Sequence, residues 1–267
     1  EEGDIYRVLD DRYIVNLNSY RGLQIIDMQD IENPEIAGRL QVSGYPVEMY
    51  VVGDHAVVLM NNWTGYYGSR DDVMVERQEG GVAVTIDISD PQNPILVDQA
   101  YIPGYIQKSR LTRLGAQSAL YVATGGYDYW EDDDGSWVWE TRTVVKSFDV
   151  TTGTLEEKTQ LNLGGYVRDI QATPEFLIVA RYDWTYDDDR TRVTLVDIRD
   201  PSGVMLEGDE VAVAGWVRNQ FNMDYYNGVL RIVSDSWWGD GNNTNHLETF
   251  DATDFENLVP VDHVTFG

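Results

Sequence analysis

The chain of 267 residues, 42% hydrophobic and 12% aromatic, holds enough apolar material for one large all-β domain or two small ones, which excludes whole-chain disorder. A formal net charge of -27, with a pI near 4.2, sets it against nucleic acid and anionic lipid, since both would be repelled over roughly a Debye length of ~8 to 10 Å. With no Cys there is no disulfide framework, thiolate metal site or cysteine nucleophile, and no stretch approaches the ~18 apolar residues of a membrane span.

The N-terminal EEGDIYRV has neither an initiator Met nor a signal-peptide pattern, so the chain reads as an excerpt or a processed form. Beyond it a pattern recurs in LQIIDMQDIENPEIAGRL, VAVTIDISDPQNPILVDQ, VVKSFDVTTGTLEEKTQL, VTLVDIRDPSGVMLEGDE and LETFDATDFENLVPVDHV. Each has an alternating apolar strand, an Asp, a turn and a second apolar strand. Asp27, Asp87, Asp149, Asp197 and Asp251 mark one position five times, at spacings of 60, 62, 48 and 54 residues. A second marker runs in phase: Gly44, Gly104, Gly165 and Gly215 each precede an aromatic residue, and Gly267 falls where the next marker would begin.

Four short strands are predicted per repeat. In the second repeat these are VEMYVV, a tight turn at Gly53-Asp54, AVVLMN, then GVAVTID and ILVDQAYI, with period-two alternation throughout. Repeats of ~40 to 60 residues with four strands each predict an all-β propeller of four-stranded antiparallel blades. Five blades are expected in this chain, at residues 1–44, 45–104, 105–165, 166–215 and 216–267 of a single propeller domain. In DISDPQNP (Asp87 to Pro94) the Asp accepts a backbone N–H two residues on and Pro presets φ, which fixes the hairpin between strands three and four. Tyr45, Tyr105, Tyr166 and Trp216, after the marker glycines, are expected to wedge between blades.

The segments GDIYRVLDDRYIVNLNSYRGLQIIDM, GYPVEMYVVGDHAVVLMNN and WVRNQFNMDYYNGVLRIVS resemble the secreted bacterial and archaeal beta-propeller domain family, with LVIVD-type repeats distantly similar to WD40 blades. The resemblance spans the whole chain and implies export or lipid anchoring, hence an extracytoplasmic location, but no catalytic residues. Members usually continue beyond this length, which implies further blades and a larger propeller.

Long segments fall between strands two and three of the second to fifth repeats: Asn61 to Gly80, Gly125 to Glu140, Tyr182 to Arg192 and Asp235 to Asn245. The propeller fold puts them on one face as acidic, aromatic loops, the favoured place for a binding surface. Trp63, Tyr66, Trp130, Trp137, Trp184 and Trp237 are the candidates for stacking on a carbohydrate or holding a peptide or protein, and the same rings fit packing of loop on loop. Asp132, Asp134, Asp240 and Asn242 offer oxygens beside a turn glycine, as Ca2+ requires, although Trp130 and Trp238 stand where the full calcium-loop spacing needs an oxygen. A solvated acidic loop fits the same residues.

The stretch Arg218 to Ile232 holds a strong hairpin signal at Asn227-Gly228, preceded by what is predicted to be a polar innermost strand. Lys108, Arg110, Arg168, Asp169, Arg218 and Gln220 are thus candidates for lining a central channel. The three histidines lack zinc spacing, and neither a G-x-S-x-G elbow nor a phosphate loop is present. The expected function is non-catalytic extracytoplasmic binding or scaffolding through the loop face, assisted by calcium if by any cofactor. The alternative is a hydrolase of glycans or esters using carboxylates at the channel mouth.

Overall fold

The computed structural model describes residues 5–69, 72–132, 134–182, 190–236 and 244–267, with 65–69 and 72–77 by backbone only. Within them the chain forms five four-stranded antiparallel sheets, each a meander of consecutive strands. The first sheet holds β1 (Tyr6–Leu9), β2 (Tyr13–Asn18), β3 (Gly22–Asp27) and β4 (Glu35–Leu40), and the second β5 (Ser43–Val52), β6 (His55–Ser69), β7 (Asp72–Asp87) and β8 (Ile95–Ile102). The third holds β9 (Tyr105–Leu114), β10 (Gln117–Glu131), β11 (Trp137–Asp149) and β12 (Glu156–Gly164). The fourth is β13 (Tyr166–Ala172), β14 (Phe176–Tyr182), β15 (Arg190–Asp197) and β16 (Leu206–Ala214), and the fifth β17 (Met223–Tyr226), β18 (Val229–Ser236), β19 (Thr244–Asp251) and β20 (Val259–Phe266). The architecture is the β-propeller expected from the repeat. No helix among the described residues is long and apolar enough to cross a membrane.

Strand alternation explains how the blades adhere. Val58 and Val84 face the first blade, in a buried cluster with Val15, Leu23 and Ile25. Val57, Leu59 and Ala83 face the opposite way, towards Leu111, Leu120 and Phe148 of the third blade. Both faces of an inner strand are therefore apolar, which is why AVVLM reads as a continuous hydrophobic run. Two further clusters join the third blade to the fourth through Tyr121 and Val179, and the fourth to the fifth through Leu195 and Leu230. Among the described residues none of these clusters joins the fifth blade to the first, and Tyr6, Val8, Tyr226, Val264 and Phe266 stand exposed on the two outermost blades.

The recurrent Asp has one job throughout. Asp27, Asp87, Asp149, Asp197 and Asp251 each accept the backbone N–H two residues on, from Gln29, Ser89, Thr151, Arg199 and Thr253, at 2.8 to 3.0 Å. The side chain replaces a backbone acceptor at the strand-three to strand-four turn.

The aromatic wedges hold in two places of four. Trp216 stacks on Tyr182 with ring centroids 4.0 Å apart, and Tyr166 lies over Gly125, where an added Cβ would meet its ring at 2.5 Å. Tyr45 and Tyr105 are instead exposed. At these junctions neighbouring residues fill the gap: Ile106, buried, lies where a Cβ on Gly81 would reach, and Val42 joins the core of the first two blades. Since side chains alternate along a strand, Tyr105 then points away from that contact.

The segment before β17 also departs from expectation. Gln220–Asn222 is a 3-10 turn rather than a polar innermost strand, because the Asn219 side chain accepts the Phe221 N–H at 3.0 Å and diverts the chain. The innermost strand starts at Met223. The Asn227-Gly228 turn is as expected, with φ of 53° and 80° and Tyr226 paired to Val229.

Candidate functional site

In the second and third blades the segments expected to be loops are continuations of the strands. β10 and β11 stay paired out to Glu131 and Trp137, whereas the flanking strands stop pairing at Gly125 and Arg142. The last turns of this hairpin therefore leave the sheet as a two-stranded ribbon, with neither edge paired to a third strand.

The register decides which side chains share a face. Tyr129 is opposite Trp139, Glu131 opposite Trp137 and Tyr127 opposite Thr141. Period-two alternation then puts Tyr127, Tyr129, Trp137 and Trp139 on one side. All four are well exposed, Trp137 at 73% and Tyr129 at 67%. Tyr127 ties the group together, with its ring centroid 6.4 Å from Tyr129, 6.3 Å from Trp139 and 5.6 Å from Tyr166. Trp130 projects from the other side, opposite Val138, where Arg142 Nη1 lies 3.2 Å from Asp128 Oδ1. An exposed row of flat rings, anchored at its base by Tyr166 and sharing its side of the ribbon with Glu131, can stack on an apolar ligand face while accepting hydrogen bonds at its rim.

The tip of the hairpin uses its acids for the turn. Asp132 N–H donates to Ser136 O and Gly135 N–H to Asp132 O, both at 2.8 Å, while Asp134 Oδ1 accepts the Ser136 N–H at 2.8 Å. Hydrogen bonds from the Ser136 side chain and backbone hold the Asp134 carboxyl below its ordinary range. Among the described residues no group of three or more His, Asp or Glu is placed to hold a metal.

A second polar feature lies along the inner strands. Arg110 on β9 and Asp169 on β13 are 3% and 2% exposed, with Arg110 Nη2 3.2 Å from Asp169 Oδ1. The same guanidinium donates to Gln220 Oε1 and to Ser109 O, Lys108 Nζ is 3.2 Å from Asp169 Oδ2, and Ile170 N–H donates to Asp169 Oδ1 at 2.8 Å. One residue along, Ser109 Oγ donates to the Glu48 carboxylate on β5, and Tyr50 Oη is 2.8 Å from Ser109 Oγ. Burial pushes the Glu48 carboxyl up despite the Ser109 hydrogen bond and the nearby Arg110 charge, and burial also raises the Tyr50 hydroxyl. Four of the six expected channel residues thus meet in one cluster linking the second to fifth blades. Arg168 and Arg218 do not join it: Arg168 sits 5.8 Å over the Trp216 ring and Arg218 Nε donates to Asp235 at 3.0 Å.

The expected ligand-binding residues fall into three groups. Trp130 and Trp137 are on the hairpin. Trp63 is 3% exposed in the core between the first two blades, because a bulge at Asn62, with φ of 54°, turns it inward; it offers no surface to a ligand. Trp184, Trp237, Asp240 and Asn242 lie outside the described residues, as does the side chain of Tyr66. Tyr127, Tyr129 and Trp139 were missed, although their signal was available: Y-x-Y before DDDGS and W-x-W after it is period-two spacing around a turn. Glu48 and Ser109 gave no local signal.

The family model for the Beta propeller domain matches residues 1–133 and 134–265. No curated protein matches the sequence. Similar solved structures include a hypothetical selenium-binding protein from Sulfolobus tokodaii, at 10% identity and a TM-score of 0.40 over 96% of this chain and 76% of that one. A provisionally assigned 6-phosphogluconolactonase from Bacteroides fragilis has 10% identity and a TM-score of 0.35 over 97% and 96%. An alpha-L-arabinofuranosidase from Clostridium thermocellum has 11% identity and a TM-score of 0.27 over 98% and 95%. At these values none bears on what this chain binds or does.

Proposed function

The chain belongs to the Beta propeller domain family, and we propose that it is an extracytoplasmic binding module whose third-blade hairpin takes a neutral carbohydrate chain. The observation that carries the reading is the exposed aromatic row Tyr127, Tyr129, Trp139 and Trp137 on one face of a ribbon that leaves the sheet. Burying such rings in a loop cluster would need covering residues, and these rings stay open to solvent. Aromatic faces stack on the C–H faces of pyranose rings, and Glu131, on the same side, accepts from sugar hydroxyls. The net charge of -27 favours a neutral chain over an anionic one and disfavours nucleic acid.

Placement outside the cytoplasm rests on the resemblance to exported proteins. Stacking on these rings needs no cation, so calcium is left out of the reading. The test is co-sedimentation with insoluble neutral polysaccharides at high salt, beside an array of soluble peptides. Retention on at least one polysaccharide, lost on Trp137→Ala with Trp139→Ala, supports the reading; binding to peptides alone, or to nothing, overturns it.

A further inference from the structure

The outer half of the fifth blade carries a chain of three polar side chains that neither the hairpin nor the inner cluster uses. Ser236 ends β18, His246 lies on β19 and His263 on β20, so they occupy three adjacent strands. Ser234 is opposite His246 and His246 opposite Thr265, so Ser236 and His263 each sit two residues from a partner of His246 and on the same face. The side chains step diagonally across the sheet. Ser236 Oγ is 2.6 Å from His246 Nε2, and His246 Nδ1 is 3.0 Å from His263 Nε2, with the rings tilted by 39°.

Burial is graded along the chain. His246 is buried, Ser236 half-buried and His263 exposed. A neutral imidazole has one N–H and one lone pair, so its two partners must play opposite roles. With the N–H of His246 at Nδ1 and donated to His263 Nε2, its Nε2 lone pair accepts the Ser236 hydroxyl. The remaining His263 N–H, at Nδ1, is free to meet water. This is the relation of nucleophile, base and orienting group in covalent catalysis, with a neutral imidazole where a carboxylate often stands.

We propose that Ser236, His246 and His263 form a nucleophilic centre that hydrolyses small neutral acyl esters. Ser236 Oγ attacks the ester carbonyl carbon while its proton passes to His246 Nε2. The tetrahedral adduct breaks its bond to the alkoxy oxygen, which leaves as the alcohol with the proton from His246. Water then attacks the acyl-serine, giving one proton to His246, and Ser236 Oγ leaves and recovers that proton as the carboxylic acid departs. Ser236 and His246 are the catalytic residues. His263 is a positioning residue that holds His246 in the required tautomer. A net charge of -27 favours a neutral ester and hastens loss of the anionic product.

The experiment uses the full chain with a fluorophosphonate probe, mapped by peptide mass spectrometry, and p-nitrophenyl acetate turnover. The expected result is one label on Ser236, with label and turnover abolished in Ser236→Ala and turnover reduced by ~10²-fold or more in His246→Gln. His263→Gln keeps an acceptor for the Nδ1 proton and should retain more turnover than His263→Ala, with the midpoint of its pH–rate profile displaced. Thermal melts of each variant separate loss of chemistry from loss of fold. No label on a folded wild-type protein, a label elsewhere, or wild-type turnover by folded Ser236→Ala would overturn the proposal.

Discussion

The guanidinium of Arg110 in the third blade and the carboxylate of Asp169 in the fourth form a pair 3.2 Å apart, with almost no solvent on either side chain. Gln220 and Lys108 complete its shell, so one ion pair links the third, fourth and fifth blades. Breaking it by Arg110→Met leaves Asp169 buried with Lys108 as its remaining cation. The expected cost is about 3–5 kcal/mol, read from urea denaturation, whereas Arg110→Met with Asp169→Leu should recover most of the loss. A single substitution that costs under about 1 kcal/mol would mean that the pair is reached by water and holds nothing together.

The contact of Tyr166 on Gly125 makes a sharper steric prediction. A Cβ at Gly125 would lie 2.5 Å from the Tyr166 ring, so Gly125→Ala must push the ring away from the blade junction. A loss of about 1–3 kcal/mol is expected. In a Tyr166→Ala background the same change should cost much less, and the double-mutant cycle reports the difference. Equal costs in both backgrounds would show that the ring is not what excludes the side chain.

Glu48 gives a pH dependence of defined sign. Its carboxyl is raised in the folded protein by burial, so the native state binds the proton more tightly than the unfolded chain. Stability from this group is full below the unfolded value near 4.5 and is lost as pH rises through the higher folded value. Glu48→Gln keeps an acceptor for Ser109 without the buried charge. The variant should therefore gain on the wild type in melting temperature as pH rises from 4 to 7, with the gain shrinking on the acid side. A difference that is flat with pH would refute the assignment.

The repeat was legible because its markers act locally. Asp27, Asp87, Asp149, Asp197 and Asp251 each bind an N–H two residues away, and Asn227-Gly228 needs only its own dihedrals to reverse the chain. Trp63 and Tyr105 were misjudged because a bulge and a one-residue change of the packing residue flip the side of a strand that a ring occupies. Contacts such as Glu48 with Ser109, or Ser236 with His246 and His263, join residues of different strands or blades. No local spacing announces them; they exist only once the register is set. The aromatic hairpin lies between these cases. Its alternation was written on both sides of DDDGS, but acid-rich composition made the segment read as a loop.

The central claim is that the face formed by Tyr127, Tyr129, Trp137 and Trp139 binds a neutral carbohydrate. The most direct test is isothermal titration with the soluble oligosaccharide of whichever polysaccharide retains the protein, on wild type and on Tyr129→Ala/Trp137→Ala/Trp139→Ala. Because the ribbon lies beyond the sheet, the triple variant should keep the core intact and melt close to wild type. Each stacked ring contributes about 0.5–1.5 kcal/mol beyond its buried area, so affinity should fall ~10-fold or more. An unchanged affinity in a folded triple variant would contradict the account.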